Sequence, residues 1–559
     1  GKLNAAIKAF RDTLSVKPKS IETYNNMGNA LYDQGRLEEA ISAYNKALFL
    51  KPDYAEAWNN IVFPLQALKM ALAYKEQLTS YYPKDINSKD FLVYKSLLHY
   101  NLTRCKMDEE NSLSNALDLL SCSQNTIIQN PRKNTNTDWP NPVIIQKMVA
   151  LVHFGRSGTG LLHSLVDNHP QVSTLPSIYF SEYFDHSTWI KITVDGWDKM
   201  AERFIAIYEV LFDASSFVPV ESKSKKLIKN IGLKEGMTKV GDQRDEVLKV
   251  DKDLFRTELK RLMACYDELD AFVFFKLVHM AYDRALTNHI SKSLIFYHIH
   301  NPDTYAQLNF LRFNPNIKWI IMVREPIQSC ESWIRRYFLK NDYFGLATRI
   351  LTMLFEIDKI FYGRQETIGV RLEDLKKYPR KTIPALCEWM GIEESETLYE
   401  MTAQGKKWWG DPVSPDYEKD GMNPFGKTSI KRKVGLIFSK NDQFILRTLF
   451  YPFSVRFGYT EENEEQFKID LQKIRPKIDE MFDFEKSIVE KTGVDEDTFI
   501  KSGSFLYLRS GLTERWNTLN ALGTYPNMMM PLKYKLSLDQ VNYLFNSSYK
   551  PHRRFLVYL

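Results

Sequence analysis

Met148-Val149-Ala150-Leu151-Val152-His153-Phe154 is apolar at nearly every position and runs straight into Gly155-Arg156-Ser157-Gly158-Thr159-Gly160, followed by Leu161-Leu162-His163-Ser164-Leu165. A strand without polar alternation is buried on both faces, the situation of a strand inside a parallel sheet covered by helices. The same change from short apolar run to helical stretch recurs downstream: Ala271–His279 then Tyr282–His289, Leu294–His300 then Thr304–Phe313, Ile317–Val323 then a helix from about Ser329. This alternation predicts an α/β domain with a parallel sheet over residues 145–460.

A strand, a glycine-rich turn and a helix start together make a seat for an anion. Glycine lets successive backbone N–H groups face inward, and the helix start adds partial positive charge. Gly155 and Gly160 have the spacing of a Walker A loop, but Leu161 and Leu162 stand where that loop needs Lys and Ser/Thr. The groups that would reach the terminal phosphates and hold magnesium are missing, which argues against a P-loop kinase or ATPase.

Arg156-Ser157-Gly158-Thr159 instead resembles the 5′-phosphosulfate loop of sulfotransferases that use the donor PAPS. That resemblance implies that Arg156 meets the transferring sulfuryl group and its bridging oxygen. It implies too that Ser157, Gly158, Thr159, Gly160 and Leu161 cradle the phosphate. Gly160 departs from the family pattern, which has a second threonine there. A second element of the family follows the apolar run Ile317–Val323: Arg324, then Ser332 eight positions later, the pair that holds the 3′-phosphate. Val370-Arg371-Leu372-Glu373-Asp374-Leu375 and Cys387–Ile392 resemble the family's late segment. Ile430-Lys431-Arg432-Lys433-Val434-Gly435 resembles its basic loop, with Arg432 and Lys433 as phosphate contacts, and Gly458-Tyr459 resembles its usual ending. The cofactor so implied is PAPS, with PAP as product and no metal expected.

Sulfuryl transfer needs cations at the bridge oxygen and a base for the acceptor's proton. Phe296-Tyr297-His298-Ile299-His300-Asn301-Pro302 resembles the Lys-x-His-x-Pro segment of cytosolic sulfotransferases, which makes His300 the base candidate and puts His298 where the family has lysine. Lys276, read near the end of a strand Phe272–Val278, is the residue expected to compensate, and His279 beside it is the rival base. Protein-tyrosine sulfotransferases use a glutamate after the first helix; here Glu182 is the nearest carboxylate.

The N-terminal segment follows a different rule. Gly1–Ile7 matches Gly35–Ile41, and Phe10, Leu14 and Pro18 match Tyr44, Leu48 and Pro52, an offset of 34 residues. This resembles the tetratricopeptide repeat over residues 1–68, an all-α solenoid module. Lone repeats are unstable, so residues 69–130 are expected to continue or cap the stack. Polar, proline-marked residues 131–144 read as a linker, and 461–559 as an extension with a charged helical start (Glu461–Lys491) and an irregular, aromatic-rich remainder.

A net charge of +6 suits an anionic ligand but is low for a nucleic-acid binder, so no nucleic acid is expected. The scattered Cys105, Cys122, Cys265, Cys330 and Cys387 indicate neither zinc site nor disulfide framework, and a reducing, cytoplasmic setting is expected. No apolar stretch approaches the length of a membrane span. The chain begins at Gly1 inside a repeat unit, as expected where an upstream segment, signal or anchor is missing. The expected function is sulfation of a peptide, glycan or small molecule, with a protein partner on the repeat groove. The competing readings are a repeat adaptor with an inactive PAP-binding domain and a P-loop kinase.

Overall fold

A computed structural model of the 559-residue chain describes residues 2–52, 54–68, 98, 100–102, 109–123, 127–131, 143–176, 183–184, 186–216, 231–286, 292–299, 304–314, 316–356, 358–359, 362, 366–412, 423–426, 430, 434–522 and 529–533. Four helices open it: α1 (Lys2–Val16), α2 (Ile21–Asp33), α3 (Leu37–Leu50) and α4 (Ala55–Ala67). They form two helix–turn–helix units. A Cβ on Gly28 would lie 2.5 Å from the Tyr44 ring, so glycine there lets α2 and α3 approach. Ala40, Ala47 and Leu48 fill the space between them without solvent contact. Helix α5 (Glu109–Ser123) follows in the segment expected to continue the stack. It packs on the α/β part, where Arg312 donates to the Leu120 carbonyl at 2.8 Å, while Asn101 in the same segment accepts from Gln66 of α4 at 3.4 Å.

Among the described residues the central sheet has six strands: β1 (Lys147–His153), β2 (Val172–Ser173), β3 (Leu294–His298), β4 (Lys318–Val323), β5 (Glu366–Arg371) and β6 (Met530–Pro531), in the order β6-β5-β4-β1-β3-β2. All neighbours are parallel. The apolar runs of the sequence thus become interior strands: Val149, Ala150, Leu151 and Val152 of β1 are all buried, with helices on both faces. One face carries α6 (Thr159–Val166); the other carries α7 (Ala271–Ala285), α8 (Thr304–Phe313), α9 (Pro326–Leu339) and α10 (Tyr343–Glu356).

Two expectations are corrected here. Ala271–His279 is not a strand followed by a second element at Tyr282. It is the first part of the single helix α7, whose N-cap Asp270 accepts the Val273 N–H at 2.7 Å. Its apolar run suits a helix buried nearly all round as well as a strand, and only the cap distinguishes the two. Much of the described remainder of the C-terminal extension is also regular: after α11 (Lys440–Leu449), α12 (Glu464–Asp479) and α13 (Asp483–Thr492), the 20-residue helix α14 spans Gly503–Leu522, while residues 523–528 and 534–559 lie outside the described residues. Residues beyond 460 are not a separate body, since β6 adds an edge strand to the central sheet and α14 lies between α4 and α10 in one continuous core. Among the described residues no helix is long and apolar enough to cross a membrane.

Candidate functional site

The glycine turn leaves the C-terminal end of β1 and enters α6. Gly155 and Gly158 hold φ values of 61° and 92°, the left-handed region. A Cβ on Gly155 would meet Ser329 Oγ at 2.6 Å, and one on Gly158 would meet Leu372 at 2.7 Å, so both positions need glycine. Gly158 is the N-cap of α6 and offers no side chain to it. The first N–H groups of α6, on Thr159, Gly160 and Leu161, therefore have neither a helical carbonyl nor a capping oxygen, and they carry the positive end of the helix dipole. Arg156 stands exposed on the turn. Ser157 is buried, and its Oγ accepts the Phe154 N–H at 3.2 Å, so this hydroxyl shapes the turn. A Cβ on Gly160 would make only ordinary contact with Trp408 at 3.6 Å; nothing steric demands glycine there.

Strand β4 lies beside β1 and ends one residue before Arg324, which is 2% exposed. Its guanidinium donates to Gln328 Oε1 at 2.9 Å and to the Arg156 carbonyl at 3.5 Å. The arginine read from one motif thus reaches the backbone of the other. Helix α9 starts at Pro326 behind the N-cap Glu325, which accepts the Gln328 N–H at 2.7 Å. Ser329 on its first turn donates to the Phe154 carbonyl at 2.8 Å and locks α9 to the turn. Ser332, half-buried, lies three residues further along the same helical face.

Glu331 of α9 is buried and accepts the N–H groups of Gly435 (3.1 Å), Ile437 (2.7 Å) and Phe438 (3.0 Å). The carboxylate thus ties the chain at 435–438 to the helix bearing Ser332, while Lys431, Arg432 and Lys433 lie outside the described residues. Sequence reasoning missed Ser329 and Glu331. Ser329 was discoverable from its three-residue spacing to Ser332; Glu331 left no signal, because its partners are backbone amides about a hundred positions away.

The residues read as catalytic are only partly brought together. Lys276 is on helix α7, not on a strand, and its Nζ lies 3.4 Å from Oε1 of Gln146, which precedes β1. That is the sheet edge opposite the glycine turn, roughly 20 Å away for a seven-residue strand. Lys276 cannot compensate for a missing lysine at the bridge oxygen. His279 is buried on the same helix with Nδ1 3.0 Å from Ser173 Oγ; burial, then neighbouring His163, pushes its pKa down to about 3. So weak a base does not suit proton abstraction near neutral pH. His298 ends β3 opposite Leu151, but its buried ring faces His163 of α6 at 5.7 Å between centroids. His300, Glu182, Arg432 and Lys433 lie outside the described residues. Ile299, just before His300, donates to the Leu151 carbonyl at 2.9 Å, so the chain is still alongside β1 at that point.

Fold and site together define a parallel α/β protein with a glycine turn and uncapped helix amides at the C-terminal edge of its sheet, joined to helical repeats. The repeats are tetratricopeptide in kind: the TPR repeat family model matches residues 28–61. Among solved structures the chain is similar to the sulfotransferase domain from the Synechococcus PCC 7002 olefin synthase, at 15% identity over 56% of this chain and 98% of that one, with a TM-score of 0.28. It is also similar to the sulfotransferase domain from the curacin biosynthetic pathway, at 15% identity over 55% and 97%, with a TM-score of 0.29. No curated protein matches the sequence.

Proposed function

We propose that the chain transfers a sulfuryl group from PAPS to a hydroxyl or amine acceptor and releases PAP. The observation that carries this reading is the Arg324 guanidinium donating to the Arg156 carbonyl, at 3.5 Å across 168 residues of sequence, so that both anion-binding motifs share one sheet edge. The residues fit such a donor. Uncapped amides of α6 and exposed Arg156 suit the phosphosulfate, and the glycines at 155 and 158 leave the backbone open to close approach. Arg324 and Ser332 suit the 3′-phosphate, with Arg432 and Lys433 as further phosphate contacts. PAPS supplies an activated sulfuryl group. A bond forms from the acceptor atom to sulfur, the bond from sulfur to the bridging oxygen breaks, and the electron pair leaves with PAP. Arg156 and the α6 amides oppose the charge that grows on that oxygen. His300 takes the acceptor's proton in this reading, and the tetratricopeptide face offers a surface for a protein partner.

Calorimetry of PAP binding tests the reading. Wild type binds, Arg324→Ala and Ser332→Ala each bind at least tenfold more weakly, and magnesium-ATP does not compete. Unchanged affinity in both variants removes the assignment.

A further inference from the structure

Helix α10 carries Arg349, Thr352, Met353 and Glu356 at the spacing of one helical face. That face is turned inward, onto a cavity of about 150 Å³ that is also lined by Trp333 of α9 and by His153, Phe154 and Gly155, the His153 ring standing edge-on to Trp333 at 5.3 Å between centroids. The cavity therefore opens against the first residue of the anion-binding turn. Its size is that of a single aromatic ring; an apolar cavity of about this volume takes benzene.

The charges inside are unequal. At one end Glu356 is fully engaged, by Lys359 at 2.8 Å, Tyr362 Oη at 3.0 Å and Gln307 Nε2 at 3.2 Å. Burial alone would raise its pKa, but these partners outweigh burial and lower it, so the carboxylate is a fixed, compensated charge. At the other end the Arg349 guanidinium is seated on aromatic rings, 4.5 Å from the Tyr337 centroid and 5.6 Å from that of Trp333. Its Nε is buried and has no hydrogen-bond partner among the described residues. Nε itself is closed off, so what Arg349 offers the cavity it lines is a positive charge held in place by rings, and such a charge favours an anion.

We infer that this cavity is the acceptor pocket and that Arg349 selects acceptors carrying a carboxylate on a body about one ring in size. The inference rests on the sulfotransferase reading above. The ring lies against Trp333, its carboxylate meets Arg349, and its hydroxyl points to the turn at Gly155. Transfer forms the bond from the hydroxyl oxygen to sulfur and breaks the sulfur–bridge bond; the hydroxyl proton goes to the base and the electron pair to PAP.

The test uses the full chain saturated with PAP, titrated calorimetrically with 4-hydroxybenzoate and with its uncharged counterpart 4-hydroxybenzamide. Wild type is expected to bind the benzoate at least tenfold more tightly. Arg349→Gln erases that difference, Arg349→Lys keeps part of it, and PAP affinity stays within twofold in both. Equal binding of the two compounds by wild type, no binding of either, or a preference that survives in Arg349→Gln overturns the inference. A tenfold loss of PAP affinity in Arg349→Gln overturns it as well, by placing Arg349 on the donor. Should Arg349→Gln not fold, Thr352→Met, which fills the cavity and keeps the cation, must abolish binding of both compounds; retained binding overturns the inference. Failure of wild type to bind PAP is a separate result, and it defeats the sulfotransferase reading itself.

Discussion

At the residue scale, some buried side chains cost stability and others supply it. Asp283 of α7 is 8% exposed, and its Oδ2 has no hydrogen-bond partner among the described residues. Burial, only partly offset by a hydrogen bond from Ser173, raises its pKa from 3.8 to about 7. Between those two values the folded chain keeps a proton that the unfolded chain has released. The folded state then binds more protons, and its stability falls as pH rises, by up to about 1.4 kcal/mol per unit for this one group. Below the lower value both states are protonated and the penalty vanishes. Asp283→Asn is therefore expected to be more stable than wild type at pH 8 and to differ little from it at pH 4. Urea midpoints of both proteins across that range are the check, and a constant difference would contradict it. Gly155 and Gly158 belong to the same scale: each is legible in the sequence as a turn residue, but only the packing of Ser329 and Leu372 against them shows why no side chain is allowed.

At the scale of elements, α9 joins three functions. Its first turn locks the glycine turn through Ser329, the next presents Ser332, and between them Glu331 collects the backbone of residues 435–438. A carboxylate beside the proposed 3′-phosphate seat should weaken binding by charge alone. Its hydrogen bonds argue the opposite, because they hold the backbone at 435–438, next to the basic residues in sequence, against the helix. Glu331→Ala is expected to lower PAP affinity about tenfold, as two or more hydrogen bonds to a charged group are lost. Calorimetry decides the sign: tighter binding would mean that the carboxylate acts only through its charge. Helix α7 teaches a different lesson. Its run of apolar residues is wrapped on most sides by neighbours, and a helix apolar nearly all round has no stripe to betray its period.

For the whole molecule, the C-terminal helix α14 binds the repeats to the α/β part. Ser510 donates to the Gln66 carbonyl of α4 at 2.6 Å. Arg515, without solvent exposure, donates to Asp358 at 2.8 Å and to the Leu449 carbonyl of α11 at 3.1 Å. Arg509 pairs with buried Glu485 of α13, which also accepts the Tyr343 hydroxyl of α10. Removing one partner of such a buried pair costs about 3–5 kcal/mol, because the other is left charged and alone. Arg515→Ala is thus expected to lower the melting temperature of repeats and α/β part together, in one calorimetric transition. Two separated transitions in wild type would show that the units are independent. The linker read at 131–144 suggests such independence, and α14 is what opposes it.

Local chemistry was enough to reveal the 34-residue repeat, the buried strands, the glycine turn, and the arginine and serine that follow β4. Each depends on residues close together in the chain, where spacing and backbone preference act directly. The α7 error arose from the same source, since a short apolar run carries no period. What only the tertiary structure decided is which distant groups meet. Lys276 went to the far edge of the sheet, His279 became a buried neutral ring, Arg349 was turned inward, and α14 was wedged between two units. In α14 polar and apolar residues are spread around the helix because neighbours press on it from several sides, so the pattern that makes a surface helix readable was never written there.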